Sequence, residues 1–357
     1  MMLPAAVAVT AIVALTTTAA VAVFMDRETN PQTLSVDPSW PPVPPRSTVR
    51  AQLMSRSGGA TSIDFTLQLI NDGAEPVALE SVAVRFWFTN DGGFEPSTSA
   101  CYYTPLPGNC SGSVIHSVAE VAPTRTGGDR HLAVGFRSTA GPLASGASTG
   151  QIQLTVSRND GVPFDRTNDY SRATTADFTD ASSVTVYVGG VLVWGTEPSV
   201  APITRALSVE YADLSPATPT QGVAPGLRVR NNGSYPEDAL AKVTMRYWFT
   251  KDAGSSAFQA YCELAYYLGG CGAVTARAVA ANPPRTGADY YLEVGFNAGR
   301  LPSGSSTGEI RLKIVKSDYS AFDQTNDYSY DTNTTYAAAP RVTLYVDGEL
   351  VWGTPPP

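Results

Sequence analysis

Histidine is almost missing. His116 and His131 are the two in 357 residues, too few for imidazole-based metal sites or acid–base machinery in both halves of the chain. Charge is also scarce: 16% of residues are charged, against roughly 25% in an average soluble protein. The 24 basic and 32 acidic side chains give a net charge of −8, and no Lys/Arg cluster interrupts it. That balance argues against phosphate-backbone binding and so against nucleic acid as a partner. Sustained helical periodicity is absent outside the amino end, which excludes a helical bundle. Glycine and proline, by contrast, are plentiful at 31 and 27 residues, as suits short strands joined by turns. At roughly 100 to 200 residues per domain, the length calls for two or three domains.

From Leu3 to Met25 no residue is charged, and Ala, Val and Thr dominate. The run is long enough to cross a bilayer as a helix. One N-terminal hydrophobic helix is expected over residues 1–25, as a signal peptide or a membrane anchor. Ala20-Val21-Ala22 has the small residues of a cleavage site, but the stretch before the apolar run lacks the basic residues such a peptide normally carries. Either fate places the remainder outside the cell, secreted or tethered to the membrane. Residues 26–46 contain Pro31, Pro38, Pro41, Pro42, Pro44 and Pro45 and read as an extended spacer.

The rest of the chain is duplicated. Val84-Arg85-Phe86-Trp87-Phe88-Thr89 returns as Met245-Arg246-Tyr247-Trp248-Phe249-Thr250, Leu132-Ala133-Val134-Gly135-Phe136 as Leu292-Glu293-Val294-Gly295-Phe296, and Thr167-Asn168-Asp169-Tyr170-Ser171 as Thr325-Asn326-Asp327-Tyr328-Ser329. So long a period means two whole domains rather than solenoid repeats. They are expected over residues 47–198 and 202–355, with a connection so short that the bodies must sit close together. Apolar–polar alternation, as in Ile63-Asp64-Phe65-Thr66-Leu67-Gln68-Leu69, predicts half-buried antiparallel strands. Each copy ends in a hairpin, turning at Asp347-Gly348 in the second and at Gly189-Gly190 in the first. An all-β fold of two β-sandwiches follows. Cys101 and Cys110, then Cys262 and Cys271, are spaced alike in the two copies. In an exported chain they predict one disulfide per domain, with free thiols as the alternative.

These residues resemble the family 3 carbohydrate-binding modules, the cellulose-binding domains of bacterial cellulases and cellulosomal scaffolds. The marks are Arg246-Tyr247-Trp248-Phe249-Thr250 followed by Asp252, the strand Tyr291-Leu292-Glu293-Val294-Gly295-Phe296, the run from Asp318-Tyr319-Ser320 to Gln324-Thr325-Asn326-Asp327-Tyr328-Ser329, and Gly348-Glu349-Leu350-Val351-Trp352-Gly353. The resemblance covers both copies. It implies two tandem nine-stranded jelly-roll β-sandwiches, a structural Ca²⁺ in each, and a flat aromatic-bearing face that lies on cellulose. The residues support calcium independently, because a hard cation wants several oxygen ligands and Asp323, Asn326 and Asp327 bring them to one loop. An Asn-Asp pair alone is more often an Asx turn, but the set occurs in both copies. The family's Thr and Asp from a distant strand end match Thr250 and Asp252. The corresponding first-copy set is Thr89, Asp91, Asp165, Asn168 and Asp169.

A crystalline glucan presents axial C–H groups over flat rings, so a binding face lays aromatic rings on them and hydrogen-bonds hydroxyls at the rim. The family's stacking position is held by Tyr319 and its supporting cation by Lys313. Glu263 follows the first cysteine of the second pair, and Tyr266 and Tyr267 lie in that disulfide loop. The first copy has Gly161 and Thr155 at the stacking and basic positions, leaving Tyr102 and Tyr103 as its candidate rings. Trp87, Trp248, Trp194 and Trp352 lie in strand-like stretches and are assigned to the core. Carboxylates that recur between copies are claimed by calcium, and no further module remains to catalyse, so no enzymatic activity is expected. The expected function is non-catalytic, exported binding of cellulose or a related insoluble polysaccharide, mainly by the second domain. The alternative is a membrane-anchored adhesion, sensing or scaffold protein whose modules bind other glycans or protein partners.

Overall fold

The computed structural model describes residues 49–235 and 239–357. The expected N-terminal helix and the proline-rich spacer lie outside the described residues. Alternation becomes architecture directly. In the strand Ser62–Asn71, Ile63, Phe65, Leu67 and Leu69 turn inward to a core, because successive side chains on a strand point to opposite faces.

Among the described residues each copy has nine strands of four residues or more. The first copy contains β1 (Val49–Ser55), β2 (Ser62–Asn71), β3 (Val82–Phe88), β4 (Thr98–Tyr103), β5 (Val114–Arg125), β6 (Gly128–Phe136), β7 (Ile152–Ser157), β8 (Thr185–Val188) and β9 (Val191–Trp194). The second contains β10 (Leu207–Asp213), β11 (Pro225–Asn231), β12 (Val243–Phe249), β13 (Phe258–Leu264), β14 (Val274–Arg285), β15 (Ala288–Phe296), β16 (Ile310–Lys316), β17 (Thr343–Val346) and β18 (Glu349–Trp352). One sheet of the first sandwich runs β1-β2-β7-β4, with Thr179–Asp180 beside β1, and the other runs β9-β8-β3-β6-β5. The second sandwich repeats this plan as β10-β11-β16-β13 and β18-β17-β12-β15-β14. Each is an antiparallel jelly-roll sandwich of the expected class.

Each sandwich buries its own core. Phe65 stacks on Phe86 with centroids 4.1 Å apart in the first, and Tyr211 on Tyr247 at 5.7 Å in the second. Trp87 and Trp248 are buried, their indole N–H groups donating to the hydroxyls of Thr185 and Thr343 at 3.1 and 3.0 Å. Trp194 and Trp352 are half-buried instead. Their rings cover the cores while their N–H groups donate to the carbonyls of Ala181 and Ala339, which keeps the polar end of each indole satisfied at the rim. Both terminal hairpins turn through positive φ, at Gly189 and Gly190 (56° and 81°) and at Asp347 and Gly348 (50° and 84°), the conformation that two-residue turns of this hand require. Cys101–Cys110 and Cys262–Cys271 are bonded, with Cα atoms 5.6 and 5.5 Å apart.

The two sandwiches belong to one compact unit. Their connection is itself paired: Thr126 N–H donates to the Ser199 carbonyl at 2.9 Å, and Ala201 N–H to the Thr124 carbonyl at 2.8 Å. Further along, Gly93 forms a parallel bridge with Ser305, and Gly92 N–H donates to the Gly304 carbonyl at 2.6 Å.

Candidate functional site

Strand β3 ends at Phe88, and the next residues fold back on the loop that carries Asn168 and Asp169. Thr89 Oγ1 lies 2.9 Å from Asp91 Oδ1, 2.5 Å from Asn168 Oδ1 and 3.4 Å from Asp169 Oδ1. Thr89 N–H donates to Asp169 Oδ1 at 2.8 Å, and the Asn168 amide to Asp91 Oδ1 at 2.8 Å. The second copy reproduces this network. Thr250 Oγ1 bonds to Asn326 Oδ1 and lies 3.0 Å from Asp327 Oδ1 and 3.4 Å from Asp252 Oδ1, while the Asn326 amide donates to Asp252 Oδ1 at 2.8 Å. Asp91 and Asp252 hold positive φ, 51° and 57°, a backbone form that Asp tolerates better than most residues.

Each nest contains an orphan. Asp169 Oδ2 and Asp327 Oδ2 are buried without a hydrogen-bond partner. Burial pushes these carboxyls up to about 7 and about 8, only partly opposed by the Thr89 and Thr250 groups that donate to them. A buried carboxylate oxygen with no donor is costly unless a cation meets it. Among the described residues no three His, Cys, Asp or Glu side chains converge as a metal set. Each nest instead joins two carboxylates to an amide oxygen and a hydroxyl, the hard-oxygen donors that calcium takes. Asp165 and Asp323 stand beside the nests differently. Their amides donate to Asp91 Oδ2 and Asp252 Oδ2, both at 2.8 Å, but their own carboxylates are turned to Thr167 and Thr325 and are held below the usual range by those hydroxyls.

Beside each nest is a buried cation that the sequence reading missed. Arg158 donates to the carbonyls of Val162 and Pro163 at 2.8 and 2.7 Å and to that of Asn90, with its guanidinium 3.9 Å above the Phe164 ring. Its counterpart Lys316 donates to the carbonyls of Ala253 and Ala321 at 2.8 and 2.7 Å, 4.2 Å above Phe322. The repeat offset pairs these two basic residues. They lock the loop that leads to Gly161 in one copy and Tyr319 in the other.

Tyr319 is 64% exposed with φ of 53°. A bulky residue in that region is unusual and bears a backbone cost. The first copy places Gly161 there, at φ 74°. Asp318 steadies the loop by accepting from the amides of Ser255 and Ser320 at 2.8 and 3.1 Å. From Tyr319 a row of side chains follows the β13–β16 ladder. Its register pairs Phe258 with Lys316, Tyr261 with Lys313, and Leu264 with Arg311. Gln259, Tyr261 and Glu263 alternate outward along β13, as Arg311 and Lys313 do along β16. Lys313 Nζ lies 3.9 Å from Glu263 Oε1. Tyr319 stands beyond one end of this ladder and Tyr266 beyond the other, and six residues of β-strand between them span about 20 Å. Tyr261, exposed and directly across from Lys313, belongs to the row although its sequence context gave no reason to single it out.

Tyr266 is 72% exposed and Tyr267 37%, the ring of Tyr267 lying 4.1 Å from that of Phe94 in the first sandwich. In the first copy the row is interrupted. Thr155, cross-strand from Asp64 and Ala100, is buried and offers no surface cation. Tyr102 and Tyr103 are exposed beside Cys101, with the Arg56 guanidinium 5.8 Å over the Tyr102 ring.

A family model described as cellulose binding domain matches residues 48–195 and 208–353. The beta-mannanase/endoglucanase A of Caldicellulosiruptor saccharolyticus is 33% identical over 340 residues, covering 81% of this chain and 25% of that protein. Endoglucanase A of Paenibacillus lautus is 39% identical over 163 residues, 44% of this chain and 22% of that protein. Cellulosomal-scaffolding protein B of Acetivibrio thermocellus is 32% identical over 161 residues, 43% of this chain and 20% of that protein. The chain spans a quarter or less of the length of these relatives. Among solved structures, a family IIIA cellulose-binding domain from Clostridium cellulolyticum is 30% identical with a TM-score of 0.39, covering 43% of this chain and 100% of that one.

Proposed function

The chain belongs to the cellulose binding domain family, the family 3 carbohydrate-binding modules, in two tandem copies, and from that premise we propose that it holds cellulose or a related insoluble polysaccharide, without cutting it, chiefly through the second sandwich. The observation that carries this assignment to the second copy is Tyr319: a large exposed ring kept at positive φ where the other copy has glycine. A fold bears such a cost where something outside it benefits. Tyr319, Tyr261 and Tyr266 supply rings for the sugar faces, and Lys313, Glu263, Gln259 and Arg311 supply donors and acceptors for hydroxyls. Tyr102 and Tyr103 give the first copy a smaller, subsidiary contact. Depletion of the chain from solution by microcrystalline cellulose, with Tyr319→Ala as the control, tests the proposal. Equal depletion of both chains would place the binding surface elsewhere.

The same reading includes one calcium ion per sandwich. Thr89, Asp91, Asn168 and Asp169 would hold the first, and Thr250, Asp252, Asn326 and Asp327 the second, with Asp165 and Asp323 positioning the loop through their amides. The ion would neutralise the orphaned carboxylate oxygens and tie a late loop to an early strand end. The charge-free run Leu3–Met25 supports export of the chain. Its fate separates a free binding protein, recovered from the culture medium, from a tethered adhesin or sensor, recovered with membranes.

A further inference from the structure

Several side chains that meet at the junction stand where the two copies differ. Arg300 donates to the Glu120 carboxylate at 2.7 and 2.9 Å, and Arg130 to Ser305 Oγ at 3.0 Å. Phe94 corresponds by offset to Ser255, Glu120 to Ala280 and Arg130 to Tyr290, whereas Tyr267 corresponds to Leu106 and Arg300 to Pro142. Phe94 enters the second sandwich between the Tyr267 ring, at 4.1 Å, and the Arg228 guanidinium, at 5.6 Å. Gly308 makes the room: a Cβ there would come within 2.5 Å of Tyr267 Cδ2 and 3.2 Å of Phe94 Cδ2. The footing of Phe94 is stiff. Its amide and that of Glu95 donate to the Asp160 carboxylate at 2.9 and 3.3 Å, and Asp160 pairs with Arg158, both side chains fully buried. On its far side Tyr267 meets Tyr266 edge to face, with centroids 5.1 Å apart and planes at 90°. Tyr266 is the most exposed aromatic residue among those described.

We propose that the first sandwich braces the binding face of the second, with Phe94 as the positioning residue: it seats Tyr267, which fixes the ring of Tyr266 at the junction end of the row. The inference rests on the cellulose reading above. A short loop closed by Cys262–Cys271 holds both tyrosines. Without Phe94 their rings regain rotamer freedom that binding must then remove, and affinity falls although no sugar contact has been deleted. The copies thus divide the labour, the first giving position and the second giving contact.

The test uses the full chain and adsorption isotherms on microcrystalline cellulose for wild type, Tyr266→Ala, Phe94→Ala and the double variant. Each single change is expected to weaken adsorption by roughly three- to tenfold, the range for losing one aromatic contact. The double variant is expected to bind no worse than the weaker single variant, because the two residues act in series. Phe94→Tyr, which keeps the ring, is expected to retain wild-type adsorption. Tyr267→Leu installs the residue the first copy carries at that position and should match Phe94→Ala, so it carries the test should Phe94→Ala fail to fold. Wild-type adsorption by Phe94→Ala, or losses that multiply in the double variant, would overturn the brace while leaving cellulose binding intact. A wild-type chain that does not adsorb at all would overturn the cellulose reading, and the brace with it.

Discussion

Replacing Tyr319 by glycine should separate binding from stability. At φ of 53° a tyrosine bears a backbone cost of roughly 1 kcal/mol, which glycine lifts. Glycine in turn loses about 0.5 to 1 kcal/mol through the greater freedom of its unfolded chain. The two nearly cancel, so the melting temperature of Tyr319→Gly should stay within a few degrees of wild type. Binding has no such compensation. Tyr319 is 64% exposed, which for a side chain of about 200 Å² leaves roughly 130 Å², half of it covered when one face lies on a sugar. At about 25 cal/mol per Å² that is on the order of 1.6 kcal/mol, or some 15-fold in affinity. Calorimetry and cellulose adsorption on the same preparation measure both quantities. Wild-type adsorption by the glycine variant would refute the reasoning, as would a drop in melting temperature large enough to show that the ring serves the fold.

Three further outcomes follow from the geometry. Removal of calcium by chelator should lower the melting temperature, and Asp327→Asn, which gives the buried orphan a neutral side chain, should reduce that sensitivity in the second sandwich; identical melting after verified ion removal would defeat the metal assignment. His131 is held down to about 4 by burial and then by the Arg85 charge, so the folded state binds fewer protons than the unfolded one between about pH 6.5 and pH 4. Its stabilising contribution is full above 6.5 and is lost as pH falls through that window, by about 2 kcal/mol after allowance for its partial exposure. His131→Tyr copies Tyr291, which packs on Trp248 at 4.9 Å with Arg246 above it, and should flatten the acid limb of a stability–pH curve; an unchanged limb would mean that other groups govern it. Lys316→Met should cost about 2 to 4 kcal/mol, since it strands the carbonyls of Ala253 and Ala321, and denaturant midpoints will show whether it does.

Much of the fold was legible because its signals are local. Alternation in Ile63–Leu69 assigns an inward face without knowledge of the partner sheet, and Asp347-Gly348 specifies its turn by its own backbone preferences. The oxygen nests were legible as a set of residues, because their members recur in both copies. The direction of each carboxylate was not: Asp165 and Asp323 find a nearer partner in Thr167 and Thr325, two residues along the chain. Exposure was harder still. Thr155 resembles any strand threonine until the sheet buries it, and Tyr261 any outward-facing residue until register sets it against Lys313. Tyr267 reads in the sequence as a second ring beside Tyr266. The structure sets that ring against Phe94, a contact that depends on how one sandwich docks on the other and that neither repeat encodes alone. The available clue was divergence between the copies, since Phe94 stands where the second has Ser255.

The paired connector leaves this tandem without slack. Val200 bridges to Arg125, Ala201 donates to Thr124, and Gly93 bridges to Ser305, so the halves cannot search a surface separately as beads on a loose string would. The usual gain from a supple tether, a second foot landing near the first, is then unavailable. On the proposed binding mode, a tyrosine row that settles on a crystal has already decided the heading and tilt of the other half, much as the keel of a boat is decided by how its deck lies.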